Sequence, residues 1–170
     1  MRRFVAIAAL LLLAACAQAP VAEKAPERLT ALLSATTTAR VAPDNKSAKV
    51  MVLPANTLIA IEDGADGWYL ADLDSYGDFG KGWLPHDFLT IDPPRKKDGT
   101  VWTLPAQLKN ESILRDGAGT WAAKLDTLRA GTRVRVVERQ LDWYRIDQPK
   151  PGWLRHDNAY IDVRTYLNAR

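Results

Sequence analysis

The chain has 170 residues, 23 Lys and Arg against 20 Asp and Glu, a formal charge of +3 and a single Cys. So balanced a charge offers no electrostatic drive toward nucleic acid or anionic lipid, and one Cys excludes an internal disulfide and a Cys-rich zinc site. The length allows one ordinary domain or two small ones.

The chain opens MRRFVAIAALLLLAACAQAP. Two arginines precede an apolar run from Phe4 to Ala15, the layout of a secretory signal. A helix of that run spans about 18 Å, short of the ~30 Å hydrocarbon core of a bilayer, so residues 1–15 are read as a signal that is removed. Leu13-Ala14-Ala15-Cys16 resembles the lipobox of bacterial lipoproteins. That resemblance implies cleavage before Cys16 and acylation of its thiol and new amino group, and three acyl chains anchor stably where one does not. Ala17 after the Cys, in place of Asp, implies the outer membrane, with the protein facing the periplasm. Loss of Arg2 and Arg3 takes the basic count from 23 to 21 against 20 acids, which is close to neutral. No thiol is left to act as a nucleophile. Residues 16–29, Ala, Pro and charged, suit a flexible tether.

Two copies of one unit follow. At an offset of 75, Arg40 meets Arg115, Leu53 meets Leu128, Thr57 meets Thr132 and Trp68-Tyr69 meets Trp143-Tyr144. Then GWLPHD (82–87) meets GWLRHD (152–157) at an offset of 70. The first copy therefore carries five extra residues in LDSYGDFGK, which read as a lengthened hairpin tip. A smaller difference follows the His-Asp pair, Phe88-Leu89 in one copy and Asn158-Ala159-Tyr160-Ile161 in the other.

Within each copy the pattern is β. Leu58–Ile61 and Val134–Val137 are short, branched and bounded by turn-formers, and Trp68–Asp72 and Trp143–Asp147 read as the next strands. The two prolines of DQPKPG (147–152) exclude a central strand. Trp83-Leu84 and Trp153-Leu154 open the returning strand. Between the copies, residues 93–99 begin with Pro93-Pro94, a stiff spacer. Short strands at such intervals suggest a small barrel or sandwich.

Arg40 and Arg115, the turns LPANT and LRAGT, the Trp-Tyr pairs and the Gly-Trp-Leu triplets together resemble the bacterial SH3-like (Src homology 3) domain. The expected architecture is all-β: a tandem pair of SH3-like barrels at 30–92 and 100–163, with 164–170 as a C-terminal tail. Val41-Ala42 and Asn56 depart from the usual Ser-Gly and Gly of that pattern. The second copy keeps Gly117 and Gly131, positions where φ is often positive and where Asn is tolerated.

The His-Asp pairs are the obvious catalytic candidates. A metal site needs further His and Asp ligands, and adjacent residues on an extended segment point apart, so Asp87 cannot readily orient His86. The repeat is read as marking a fold, with no catalytic residue, metal or cofactor. The resemblance implies a one-turn 3₁₀ element there, whose Asp accepts backbone N–H groups. It also implies a ligand groove walled by Trp68 with Phe88 and by Trp143 with Tyr160. Each ring has a core alternative, because a barrel of about 60 residues needs its large side chains inside. Of Trp68 and Tyr69, neighbours on a strand, one should fill the barrel and the other reach the surface. Tyr76 and Phe79 in the long tip, and Trp121 in a loop, are candidates to meet a partner. The expected partner is a peptidoglycan peptide or a cell-envelope protein, with an envelope accessory subunit as one alternative and a cell-wall hydrolase as the other.

Overall fold

The computed structural model describes residues 24–169. Cys16 and the signal lie outside them. Strands run β1 (Leu29–Leu33), β2 (Thr37–Arg40), β3 (Lys49–Leu53), β4 (Leu58–Ala65), β5 (Trp68–Asp72), β6 (Lys81–Pro85) and β7 (Leu89–Ile91), then β8 (Leu104–Leu108), β9 (Ser112–Arg115), β10 (Lys124–Leu128), β11 (Arg133–Gln140), β12 (Trp143–Gln148), β13 (Gly152–Arg155) and β14 (Ala159–Ile161). They form two seven-stranded antiparallel sheets, ordered β3-β2-β6-β5-β4-β1-β7 and β10-β9-β13-β12-β11-β8-β14. Adding seven to each label of the first order yields the second, so the duplication in sequence is a duplication of topology.

Equivalent residues do equivalent work. Arg40 Nη1 donates to the Ser47 carbonyl and Arg115 Nη1 to that of Ala122, each at 2.7 Å, closing the loop after its strand. Asn56 and Gly131 sit at φ 63° and 81°, so Asn stands in the left-handed conformation that Gly takes in the other copy. The five extra residues fall between β5 and β6, as a hairpin tip. The smaller difference after the His-Asp pair disappears: both copies make a three-residue 3₁₀ turn, His86–Phe88 and His156–Asn158, then a three-residue strand. Phe88 thus corresponds to Asn158, and Tyr160 to Thr90.

The ends of the chain differ from expectation. The stretch read as a C-terminal tail carries α1 (Val163–Asn168), capped by Asp162, whose side chain accepts from the Thr165 N–H at 2.9 Å. Val163 and Tyr166 are buried, and α1 packs on β4 of the first half and β8 of the second. The end of the expected tether is also held. Ala25 is buried, and Arg28 pairs with Glu62 and Asp72.

One cluster of buried apolar side chains runs through both halves, from Ala25, Leu29 and Ile61 to Val136, Leu154 and Tyr166. Two tyrosines join it reciprocally. The Ile91 N–H, on edge strand β7, donates to the Tyr144 hydroxyl at 2.7 Å, and the Ile161 N–H, on edge strand β14, donates to the Tyr69 hydroxyl at 2.7 Å. Each half thereby satisfies the outermost strand of the other. Arg164 grips Asp63 and Arg139 grips Asp92, each with two hydrogen bonds across the halves.

Tyr69→Phe or Tyr144→Phe keeps the ring but leaves a buried N–H without its acceptor. Each should lower the free energy of unfolding by about 1–3 kcal/mol, with both halves still unfolding in one urea transition. Two resolved transitions would show independent halves. Leu141, 77% exposed, sits at φ 52° in the β11–β12 turn, a conformation costly for Leu. Leu141→Asn should raise stability by up to ~1 kcal/mol in the same assay.

Candidate functional site

The His-Asp pairs meet where the halves meet, since the two 3₁₀ turns pack on each other. His86 has Nδ1 3.1 Å from the Gly67 carbonyl and Nε2 3.2 Å from the Asp157 carbonyl of the other half. A neutral ring donates to only one of them. His156 is 3% exposed, with Nδ1 3.2 Å from the Leu89 carbonyl across the interface. Its Nε2 lies 3.9 Å from an Asp142 carboxylate oxygen. The backbone repeats the correspondence: the His86 N–H donates to the Gly67 carbonyl and the His156 N–H to that of Asp142. Both imidazoles therefore serve as polar contacts between the halves. Neither 3₁₀ turn has a side-chain cap, so the expected role of the Asp fails. Asp157 instead pairs with Arg155 at 3.1 Å.

Tyrosine rings complete the interface. Tyr69 stacks on Tyr160 at 5.1 Å and 12°, while His86 meets Tyr160 and His156 meets Tyr144 edge-on. Burial pushes the Tyr69, Tyr144 and Tyr160 hydroxyls well above the usual tyrosine range. They stay protonated, and those of Tyr69 and Tyr144 act as neutral hydrogen-bond acceptors. Tyr160 fits because β4 has Gly64 opposite, where a Cβ would lie 2.5 Å from the Tyr160 hydroxyl.

The four groove candidates occupy different settings. Trp68 and Trp143 are buried, at 9% and 8% exposure, as is Tyr160; Phe88 is half-buried. Both members of each Trp-Tyr pair are thus covered, against the expectation of one ring inside and one outside. The tyrosines enter the joint core, and on the other face the Arg155 guanidinium lies 5.9 Å from the Trp143 ring. The loop aromatics are the accessible ones. Trp121 is 84% exposed and lies against Gly119, where a Cβ would come within 2.2 Å of the indole nitrogen. Tyr76 folds back so that its hydroxyl donates to the Leu58 carbonyl. Phe79 covers Gly77 and remains about half exposed.

Sequence reasoning missed the cleft between the halves, about 790 Å³, bordered by β1, the 93–101 linker and β11. Its one signal was the run Arg95-Lys96-Lys97 after two prolines. Among the described residues no group of three or more His, Cys, Asp or Glu could hold a metal ion, and no helix is long and apolar enough to cross a membrane.

Fold and interface together define an all-β module of two seven-stranded antiparallel sheets with the same strand order. Residues 111–162 match the family model described as "Bacterial SH3 domain". Among solved structures, the chain is similar to NlpC2 from Trichomonas vaginalis, at 15% identity over 78% of this chain and 48% of that one, TM-score 0.33. It is also similar to NlpC1 from the same organism, at 13% identity over 81% and 47%, TM-score 0.33. The chain spans about half the length of both. No curated protein matches it.

Burial holds the His156 pKa below the usual histidine value, against the opposing pull of Asp157 and Asp142. The unfolded chain takes up a proton near pH 6.5 that the folded chain resists. Stability is therefore full above that pH and declines as pH falls toward the folded pKa. The urea midpoint should drop between pH 7.5 and pH 5.5, and His156→Gln should flatten that slope.

Proposed function

We propose that the chain is a lipid-anchored adaptor of the bacterial cell envelope, facing the periplasm from the outer membrane. Its paired SH3-like halves engage peptidoglycan or an envelope protein and carry out no reaction. The observation that carries this reading is the match of residues 111–162 to the bacterial SH3 family, repeated as the same strand order in the first half. The ring nitrogens of both His lie against backbone carbonyls, a structural employment. The surface offered is the loop aromatics Trp121, Tyr76 and Phe79, since exposed rings supply large contact area at low ordering cost. Trp121 leads them, for it is the most exposed and its loop lies within the matched family segment.

The test is co-sedimentation with purified cell-wall sacculi. The wild-type chain should pellet with them, and Trp121→Ala should reduce the bound fraction several-fold while leaving the urea midpoint unchanged. Retention no higher than that of an unrelated control protein would rule out wall engagement. Anchoring is tested separately: cells fed labelled fatty acid should label the wild-type chain and leave Cys16→Ser unlabelled.

A further inference from the structure

The two halves are equivalent strand by strand, but their junctions are not. On one side α1 lies between β4 and β8. The equivalent strands on the other side are β11 and β1, and the chain segment there, following β7 as α1 follows β14, is the linker that begins Pro93-Pro94. Pro93 is buried, as is its counterpart Val163. Beyond it the linker makes no helix. Its Arg95 and Val101 form a single bridge, and the Trp102 N–H donates to the Pro94 carbonyl. The seat that α1 fills on one side is therefore left on the other as the 790 Å³ cleft, with Pro26, Val101 and Val137 among its apolar walls.

Its polar lining is surplus in donors. Arg28, Arg95 and Arg139 face Asp92 and Glu138. Asp92 is held by two hydrogen bonds from Arg139, and Glu138 is met by Arg145 at 3.2 Å. Arg28 is engaged from below by Glu62 and Asp72. Arg95 is exposed and its guanidinium has no partner among the described residues. Lys96 beside it lies 4.6 Å from the Trp102 ring. Both lining carboxylates are thus neutralised, while a guanidinium with five N–H donors stands open at the rim.

We propose that this cleft is a docking site for a short acidic segment of a partner protein, whose carboxylate is received by Arg95 and whose backbone occupies the seat that α1 fills on the opposite side. A polypeptide turn is the occupant because a polypeptide turn fills the equivalent space, and it is acidic because the unspent groups are cationic. The proposal rests on the reading of the chain as an adaptor but not on wall engagement, so a negative sacculus experiment leaves it standing.

The probe is the peptide acetyl-Ala-Glu-Leu-Glu-Ala-amide, with its Gln-for-Glu counterpart as control, titrated into the ¹⁵N-labelled full chain. The acidic peptide should shift the amide signals of Val101 and Val137 and the Arg95 side-chain signal, and the Gln peptide should not. Arg95→Gln should weaken binding at least fivefold, while Lys46→Gln, on the β2–β3 loop, leaves it unchanged. No shift at those amides, equal shifts from both peptides, unchanged affinity in Arg95→Gln, or shifts there only with purified muropeptides would each overturn the proposal.

Discussion

A sheet of seven strands has two edges, and an edge strand carries N–H and carbonyl groups that need partners once they are buried. In this protein one edge of each sheet is satisfied from the other half by a single phenol. Tyr144 accepts from Ile91, and Tyr69 accepts from Ile161. The arrangement is reciprocal, so neither half can be removed without stranding a group in the other. The remaining interface contacts follow from it. Once β7 and β14 face the opposite tyrosines, the 3₁₀ turns just before those strands are brought together, and His86 and His156 find carbonyl acceptors across the junction. Two units of about 60 residues, each marginal alone, share one core.

Duplication left the halves free to diverge where the interface needed volume. Tyr160 stacks on Tyr69 and lies against Gly64. The equivalent positions in the opposite arrangement are Thr90 and Arg139. The large side chain has changed strands: a tyrosine on β14 faces a glycine, while an arginine on β11 accompanies a threonine and reaches Asp92. Burial at one face and an ion pair at the other differ in consequence. The stacked side is closed further by α1, whose Arg164 pairs with Asp63; the side of Arg139 and Asp92 borders an open cleft. The asymmetry of the two junctions grows out of this exchange.

The two histidines of the His-Asp motif make packing contacts between the halves. His combines an apolar ring with two polar nitrogens, which suits a contact that is apolar at its faces and bounded by backbone carbonyls. Desolvation lowers the His156 pKa and so favours the neutral ring. Asp157 turns outward to Arg155 rather than toward the ring beside it, as neighbouring residues at the start of a turn must.

The repeat, the β character, the position of the long hairpin tip and the glycine-like role of Asn56 were all legible in the amino acids, because each depends on local backbone preference or on direct comparison of one copy with the other. The 3₁₀ turns were readable from the resemblance. The helix at 163–168 was not, since six residues are too few for a periodic apolar face. The destination of the tyrosines was not either: the partners of Tyr69 and Tyr144 lie 92 and 53 residues away, and nothing in a Trp-Tyr pair says which strand edge its hydroxyl will meet. Sequence by itself determined that one β unit occurs twice, because the two copies can be compared residue by residue. Only the tertiary structure decided that the copies close on each other, burying Tyr69, Tyr144 and Tyr160 in a shared core, because burial depends on what the outward face of each unit packs against, and that face is invisible to any pattern within the unit.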